Sequence, residues 1–461
     1  MARLLLLLFA LAVPAVAQDK PLTRIAFGSC ADQDRPLLIF DKIADLRPEL
    51  FIGLGDNIYA DLKPEKGLTE MESMKVKYEK LAAVPGWAKI VKACPVMAVW
   101  DDHDYGKNDL GADYKHKDES QAIFLDFFNV PKDDPRRSRK GVYHAKTFGP
   151  DGKRVQVILL DTRYFRSKLK KAPAPLPGTR IVPYLPNTDA DATFLGEEQW
   201  KWLEAKLKEP AEIRLIGSSI QVVNEDHPFE KWTNIPAERA RLYKAVKDAN
   251  AAGVIVLSGD RHLAEISMAP KGVGYPLFDV TSSGFNQGFK AWRPVEKNTR
   301  LVAAMHHGNN FGWITIDWAA ETPKILLQVR DEEGEIAVKE TIPLSLLKPG
   351  AALAELPVKP GEGAISPRDA LKLKGEMVVV EMKVQATGSS KTRIFLNSEK
   401  NRNDELNFTV VVGTMALTGK WEKATKETFV GKTVRVTGTV SEFNKTLQIV
   451  VDDEKQLEIL D

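Results

Sequence analysis

The feature that most limits how this chain folds is a short apolar run ending in an acidic turn, met again and again. Leu50-Phe51-Ile52-Gly53-Leu54 runs into Gly55-Asp56-Asn57-Ile58-Tyr59, and Val254-Ile255-Val256-Leu257-Ser258 runs into Gly259-Asp260-Arg261-His262. Such brief runs, rich in branched residues and stopped by Gly-Asp, read as buried strands ending at a polar edge. Arg24 to Gly28 leads likewise to Ser29-Cys30, Pro95 to Val99 to Trp100-Asp101-Asp102-His103-Asp104, and Val155 to Leu160 to Asp161-Thr162-Arg163. Between these runs lie helical patterns: Leu37, Leu38, Phe40, Ile43 and Leu46 at helical spacing, residues 69–83, an acid-led segment from Leu195 to Leu207, and a Pro236-led one to about Asn250. Alternating strands and helices predict an α/β layered core. Sheets of this kind hold ligands at the carboxyl ends of their strands. One site assembled from distant parts of the chain is therefore expected.

A chain of 461 residues exceeds one ordinary core, so two domains are expected. Pro349, Gly350, Pro357, Pro360, Gly361, Gly363 and Pro367 mark residues 348–367 as the linker. Beyond it, Val/Thr-rich alternating runs and a short helix near 414–428 predict a small closed β-barrel over 368–461. A net charge of +2 supplies no strong field for nucleic acid. At the start, Arg3, the apolar run Leu4 to Val13 and Ala15-Val16-Ala17 form a secretory signal over residues 1–17, cleaved before Gln18. The same run also fits an uncleaved anchor or a buried helix. No Arg-Arg pair is present, which favours the general secretory route, and no later stretch reads as transmembrane.

The edges carry chemistry. Cys30, Asp56, Tyr59, Asp102, Asp104, Asp260 and His262 are metal-capable and cluster in the motifs above. A bridging carboxylate is what a two-ion phosphoryl site requires. Thiolate and phenolate suit a trivalent or soft transition metal, iron first, whereas several carboxylates suit calcium or manganese. Cys30 also fits a disulfide with Cys94, since export permits one, or an inert core thiol. His116, His144, His227, His306 and His307 read as surface or core residues, and the basic run 135–140 as a solvated loop or a rim facing anionic substrate. The proline-rich segment 166–193 reads as a long binding loop or lid.

In order along the chain, Phe-Gly-Ser-Cys, Gly-Asp-Asn-Ile-Tyr, Trp-Asp-Asp-His-Asp, Leu-Asp-Thr-Arg, Gly-Glu-Glu-Gln-Trp-Lys-Trp-Leu, Ser-Ser-Ile-Gln and Ser-Gly-Asp-Arg-His resemble the alkaline phosphatase D (PhoD-like) metallophosphatases. The resemblance spans roughly residues 22–345, within a domain drawn at 18–347. It implies a four-layer α/β/β/α metallophosphoesterase-like core and an exported, periplasmic or secreted enzyme. It also implies hydrolysis of small-molecule, lipid or nucleotide phosphoesters at an iron (Fe3+) and calcium (Ca2+) centre, with manganese or zinc as substitutes. Carried over residue by residue, Cys30, Asp56, Tyr59 and His262 become iron ligands, Asp56 the bridge, and Asp102 and Asp260 the calcium side. His103 would donate a proton or hold the phosphoryl group, and Arg163 would grip phosphate unless it forms an ion pair with Asp161 or a neighbour. Monoesterase, phosphodiesterase and phospholipase D-type activity all need the same core. The last domain resembles an OB-fold of the tRNA-anti-like type, but its nearly equal basic and acidic counts speak against nucleic-acid binding. The competing reading is a non-catalytic exported binding protein whose OB-like module carries the function.

Overall fold

The structure is a computed structural model describing residues 20–460 except 292, 294, 306, 352–363, 376, 391–392, 414–415, 418–420, 444–445 and 452–453. The expected signal segment, most of the expected linker and His306 lie outside the described residues. No described helix is long and apolar enough to cross a membrane.

The first half alternates as its sequence requires. It runs β1 (Arg24–Gly28), α1 (Ile39–Asp45), β2 (Leu50–Leu54), α2 (Glu70–Ala82), α3 (Pro85–Ala93), β3 (Val96–Val99), α4 (Asp102–Tyr105) and α5 (Lys117–Phe127). Then come β4 (His144–Phe148), β5 (Val155–Leu159), the two-residue strands β6 (Lys170–Lys171) and β7 (Tyr184–Leu185), α6 (Gly196–Leu207), β8 (Ile213–Gly217), α7 (Pro236–Asp248) and β9 (Val254–Ser258). Thr69 caps α2 through a reciprocal box with Glu72, and Pro236 opens α7 where its missing N–H costs nothing. The second half is mostly strands: β10 (Ala264–Ala269), β11 (Leu277–Ser282), β12 (Leu301–Met305), β13 (Asn310–Asp317), β14 (Lys324–Asp331) and β15 (Ile336–Pro343).

These strands make two sheets. One has the order β15-β14-β13-β1-β2-β3, the other β12-β10-β11-β9-β8-β5-β4. In the first, β1, β2 and β3 run parallel; in the second, β5, β8, β9 and β11 do. β2, β5, β8, β9 and β11 are buried along their length, and β1 and β3 everywhere but at their first residue, as strands covered on both faces must be. The sheets face each other across one shared core: Leu54 of β2 packs over Gly217 of β8. Outside the first sheet, Phe40 of α1 and Trp87 of α3 stack about Phe51 of β2. Outside the second, Lys206 of α6 accepts from Gln156 of β5 through its backbone carbonyl. This is the expected α/β class with several sheets.

A parallel bridge from Ser29 to Ser283 ties the two sheets together, just past β1 and β11. The carboxyl ends of both parallel sets therefore converge on one edge. The loop 166–193 contains only the small β6–β7 ladder.

After residue 363 the described strands are β16 (Met377–Lys383), β17 (Ala386–Ser389), β18 (Ile394–Asn397), β19 (Thr409–Val412), β20 (Thr433–Thr439), β21 (Ser441–Phe443), β22 (Thr446–Val451) and β23 (Leu457–Ile459), with short helices α8 (Pro367–Ala370) and α9 (Lys426–Phe429). They bury a separate apolar core. Among the described residues no closed barrel is shown. The strands fall into a three-stranded sheet, β16-β20-β23, and a five-stranded one, β17-β18-β19-β22-β21. Of the helix expected near 414–428, residues 414–415 and 418–420 lie outside the described residues; the described part holds α9, which starts after Thr425 and ends at the extended Val430 before Gly431.

Where β13 crosses β1, Gly312 lies so close to Phe27 that a Cβ would stand 2.1 Å from the ring, and Phe27 is wholly buried. Gly312→Ala is therefore expected to lower the unfolding free energy by about 1–3 kcal/mol through overpacking. Denaturant unfolding measures this, and a neutral substitution contradicts the packing described.

Candidate metal centre

Each edge residue is delivered by a strand that stops abruptly. Cys30 follows β1, Asp56 follows β2, Asp102 begins α4 just after β3, and Asp260 and His262 follow β9. The stop is built into the backbone. Nine non-glycine residues have positive φ among the described residues, and five of them, Cys30, Asp56, Asp109, Asp260 and His262, stand in this one cluster. Left-handed backbone at ordinary residues is strained and persists where surrounding structure dictates it, most often at functional sites.

The side chains form overlapping groups. Cys30, Asp56 and His262 bring ligand atoms within 4.8 Å of one another, and so do Asp56, Asp102 and His103. Asp101, Asp102 and Asp260 make a third group, and Asp102, Asp109 and Glu230 a fourth. Asp56 thus belongs both to the thiol–imidazole group and to a carboxylate group. Cys30 Sγ donates to Asp56 Oδ2 at 3.4 Å and lies 3.1 Å from Ser283 Oγ. Tyr59 Oη is 2.9 Å from His262 Nε2, which places the phenol on the thiol side. His103 N–H donates to Asp56 Oδ1 at 3.3 Å, and the His103 ring lies 4.3 Å from that of Tyr59.

Electrostatics mark the site as short of positive charge. Burial pushes the Cys30 thiol well up, and the Asp56 carboxylate beside it adds to that. Burial likewise raises Asp56, although His103 pulls the other way, and lifts Tyr59 with help from Cys30 and Asp56. Asp260 is raised to about 6 by burial against the pull of Arg261, and His262 is lowered to about 3 by burial and Arg261. For Asp102 burial is outweighed by His103 and Arg163, which hold it below the usual carboxylate range. For His103 burial is outweighed by Asp102, Asp56 and Asp61, which raise it to about 11. A cation would relieve these desolvated acids directly. The donors also fit: thiol, phenol and imidazole on one side of Asp56, carboxylates on the other.

Several residues were not singled out from sequence. Asp61 Oδ1 lies 2.6 Å from His103 Nδ1, fixing the ring. Asp101, Asp109 and Glu230 complete the acidic groups. Asp61 and Asp101 sit two residues and one residue from recognised positions, so neighbourhood was their signal. Glu230 lies in an irregular segment with no motif around it and offered none.

Other expectations resolve differently. Asp104 joins none of the four groups. Its carboxylate accepts from the backbone N–H of Asp56 (3.1 Å), Asn57 (3.2 Å) and Asp101 (2.7 Å), and from Asn57 Nδ2 (2.6 Å). It is a buttress joining two of the edge loops. Arg163 is fully buried, with Nε donating to Asp101 Oδ1 at 2.5 Å and Nη2 lying 2.6 Å from Glu230. The fork thus meets carboxylates on Nε and Nη2, while Nη1 has no hydrogen-bond partner among the described residues. Cys30 and Cys94 are both free buried thiols, and Cys94 donates to the Ile90 carbonyl. In the basic run, Arg136 pairs with Asp134, and Arg137 with Asp126 and two backbone carbonyls, so these charges brace their own loop.

A layered α/β fold with buried, metal-capable donors at converging strand ends defines a class of candidate metal-binding proteins. A sequence model described as PhoD-like phosphatase matches residues 25–282, more than half of the chain, and the chain belongs to that family. Alkaline phosphatase D of Bacillus subtilis (strain 168) is 21% identical over 286 residues, covering 54% of this chain and 47% of that protein. The chain thus spans about half the length of this curated relative. A solved structure of PhoD superposes with a TM-score of 0.54 at 16% identity, over 76% of this chain and 74% of that one, a likeness of fold.

Asp104→Ala leaves the backbone N–H groups of Asp56, Asn57 and Asp101 buried without that acceptor, while Asn57 Nδ2 keeps the Val99 carbonyl. It is expected to cost at least about 2 kcal/mol of unfolding free energy, read by urea titration. A loss within experimental error contradicts the buttress.

Proposed function

We propose that this chain is an exported, metal-dependent phosphoric ester hydrolase. The observation that carries the reading is the shared position of Asp56, between Cys30 and His262 on one side and Asp102 and His103 on the other. A carboxylate so placed suits two cations held side by side. Cys30, Tyr59, His262 and Asp56 would hold iron, and Asp56, Asp102 and Asp260 calcium, with manganese or zinc as substitutes. Such cations, when bound, polarise phosphoryl oxygens and make a nucleophile of water near neutral pH.

The chain's own residues supply the rest. Asp61 takes one ring nitrogen of His103, which leaves Nε2 to hold a phosphoryl oxygen or to protonate the leaving oxygen. The surrounding carboxylates favour the protonated ring, as a general acid needs. Arg163 and Arg166 both pair with Glu230, and Arg163 also with Asp101, so the acidic wall keeps its shape between turnovers. The apolar, Ala-x-Ala-ended sequence of residues 1–17 supports reading the enzyme as exported. Small-molecule, lipid and nucleotide esters, as monoesters or diesters, all suit this machinery. The alternative of a non-catalytic binding protein fits less well, because the whole donor set is retained at one point.

The test is hydrolysis of aryl phosphate esters by protein stripped of metal and reloaded. Chelation should abolish activity, and iron plus calcium should restore it. The Cys30→Ala, Asp56→Ala double variant should lose about a thousandfold or more, equivalent to several kcal/mol of charge stabilisation. Full activity in that variant would falsify the reading. Asp61→Asn keeps the shape but removes the charge behind His103. It should lower kcat about tenfold or more with metal content unchanged.

A further inference from the structure

Beside the acidic wall lies a cavity of about 540 Å³, within the usual size for a small-molecule site. One side is the proline-rich loop, through Leu176, Pro183 and Tyr184, and the other is the segment carrying His227 and Lys231, with Val295 at the rim. Two observations join it to the centre already described. Tyr184 lines the cavity and donates its hydroxyl to Asp109 Oδ2 at 2.5 Å, and Asp109 groups with Asp102 and Glu230. On the opposite wall, Glu230 lies one residue from Lys231, and the Arg261 guanidinium sits 3.9 Å over the Phe229 ring while contacting Asp260. The cavity and the acidic wall are thus two faces of the same short segments.

Its lining points to an occupant. Leucine, prolines and valine offer an apolar surface. Glu225 is engaged by Arg239 and Arg300, and Asp226 by Thr299, so the lining carboxylates are committed elsewhere. The Lys231 ammonium is buried and, among the described residues, donates to the carbonyls of His227 and Phe229. Thr233 Oγ1 and His227 Nε2 are buried on lining residues without a hydrogen-bond partner among the described residues. Unpaired buried polar atoms in a largely apolar cavity are the small set of orienting groups expected of a ligand pocket.

We propose that this cavity seats an organic substituent of the phosphoester, and that it selects a ring-sized apolar body carrying an anionic or hydrogen-bond-accepting end. This rests on the hydrolase reading above and adds which ester the centre prefers. The apolar walls exclude water from the body of the substituent, and Lys231 with the orphaned hydroxyl and imidazole receives its polar end. A methyl ester leaves the cavity unused, and a bulky cationic group meets the wrong charge.

The test uses the full-length, metal-loaded protein and two diesters with one leaving group, bis(p-nitrophenyl) phosphate and methyl p-nitrophenyl phosphate. The retained aryl or methyl group is the only difference between them. Leu176→Asp puts a charge on the apolar wall, and Val295→Trp fills the rim; neither residue touches the centre. The aryl-over-methyl ratio of kcat/KM should fall about tenfold or more in both variants, the size expected for an apolar pocket contact. Activity on the methyl ester should stay unchanged. An unchanged ratio in both variants overturns the pocket while leaving the centre standing. Hydrolysis of p-nitrophenyl phosphate but of neither diester also overturns the pocket, and no hydrolysis of any of the three by the loaded wild type overturns the hydrolase reading itself.

Discussion

A carboxylate taken out of water costs several kcal/mol unless a cation or a donor meets it, and the rest of this structure depends on how that cost is met. The fold gathers Asp56, Asp101, Asp102, Asp260 and Glu230 about one point and adds a thiol and a phenol. Arg163, Arg166 and Arg261 answer the outer acids. The inner group around Asp56, Cys30 and Tyr59 has no such partner beyond His103 among the described residues, and burial pushes its members toward their neutral forms. A cation in that position reconciles the burial with the chemistry, and it is the simplest reason for a sequence to keep these residues together.

The architecture follows from the same need. Parallel strands aim their carboxyl ends one way, and two such sets meeting edge to edge bring distant segments to one place. The left-handed backbone at Cys30, Asp56, Asp260 and His262 turns each chain sharply after its strand, so the side chain enters the cleft. Asp104 then clamps the loops after β2 and β3 through four donors, which makes the spacing rigid. Strain at each edge is offset by this shared clamp and by the bridge from Ser29 to Ser283.

Much of this was legible in the sequence because buried parallel strands are continuous apolar runs. Residues 24–28, 50–54 and 254–258 stand in the structure at the bounds their sequence predicts. β4 was not legible, since a half-exposed edge strand with His144, Lys146 and Thr147 has no apolar alternation to read. β10 was hidden for a related reason, as Glu265 and Ser267 are buried where a strand pattern expects apolar side chains. Asp56, Asp260 and Cys30 were legible as site candidates because each closes a strand run. The true role of Asp104 was not, because a carboxylate that binds backbone amides and one that faces a cation look alike in a motif. Arg163 was ambiguous for the same cause, since its carboxylate neighbours Asp101 and Glu230 both lie more than sixty residues away in sequence. The C-terminal strands were visible one by one, but whether strands close into a barrel depends on pairing between distant edges, which alternation does not encode.

The central claim is that Asp56 joins two cation positions, and elemental analysis of purified, dialysed protein tests it most directly. The wild type should retain iron and calcium together, Cys30→Ala should lose the iron alone, and Asp56→Ala should lose both. Retention of both metals by Asp56→Ala, with the protein folded, would contradict the account.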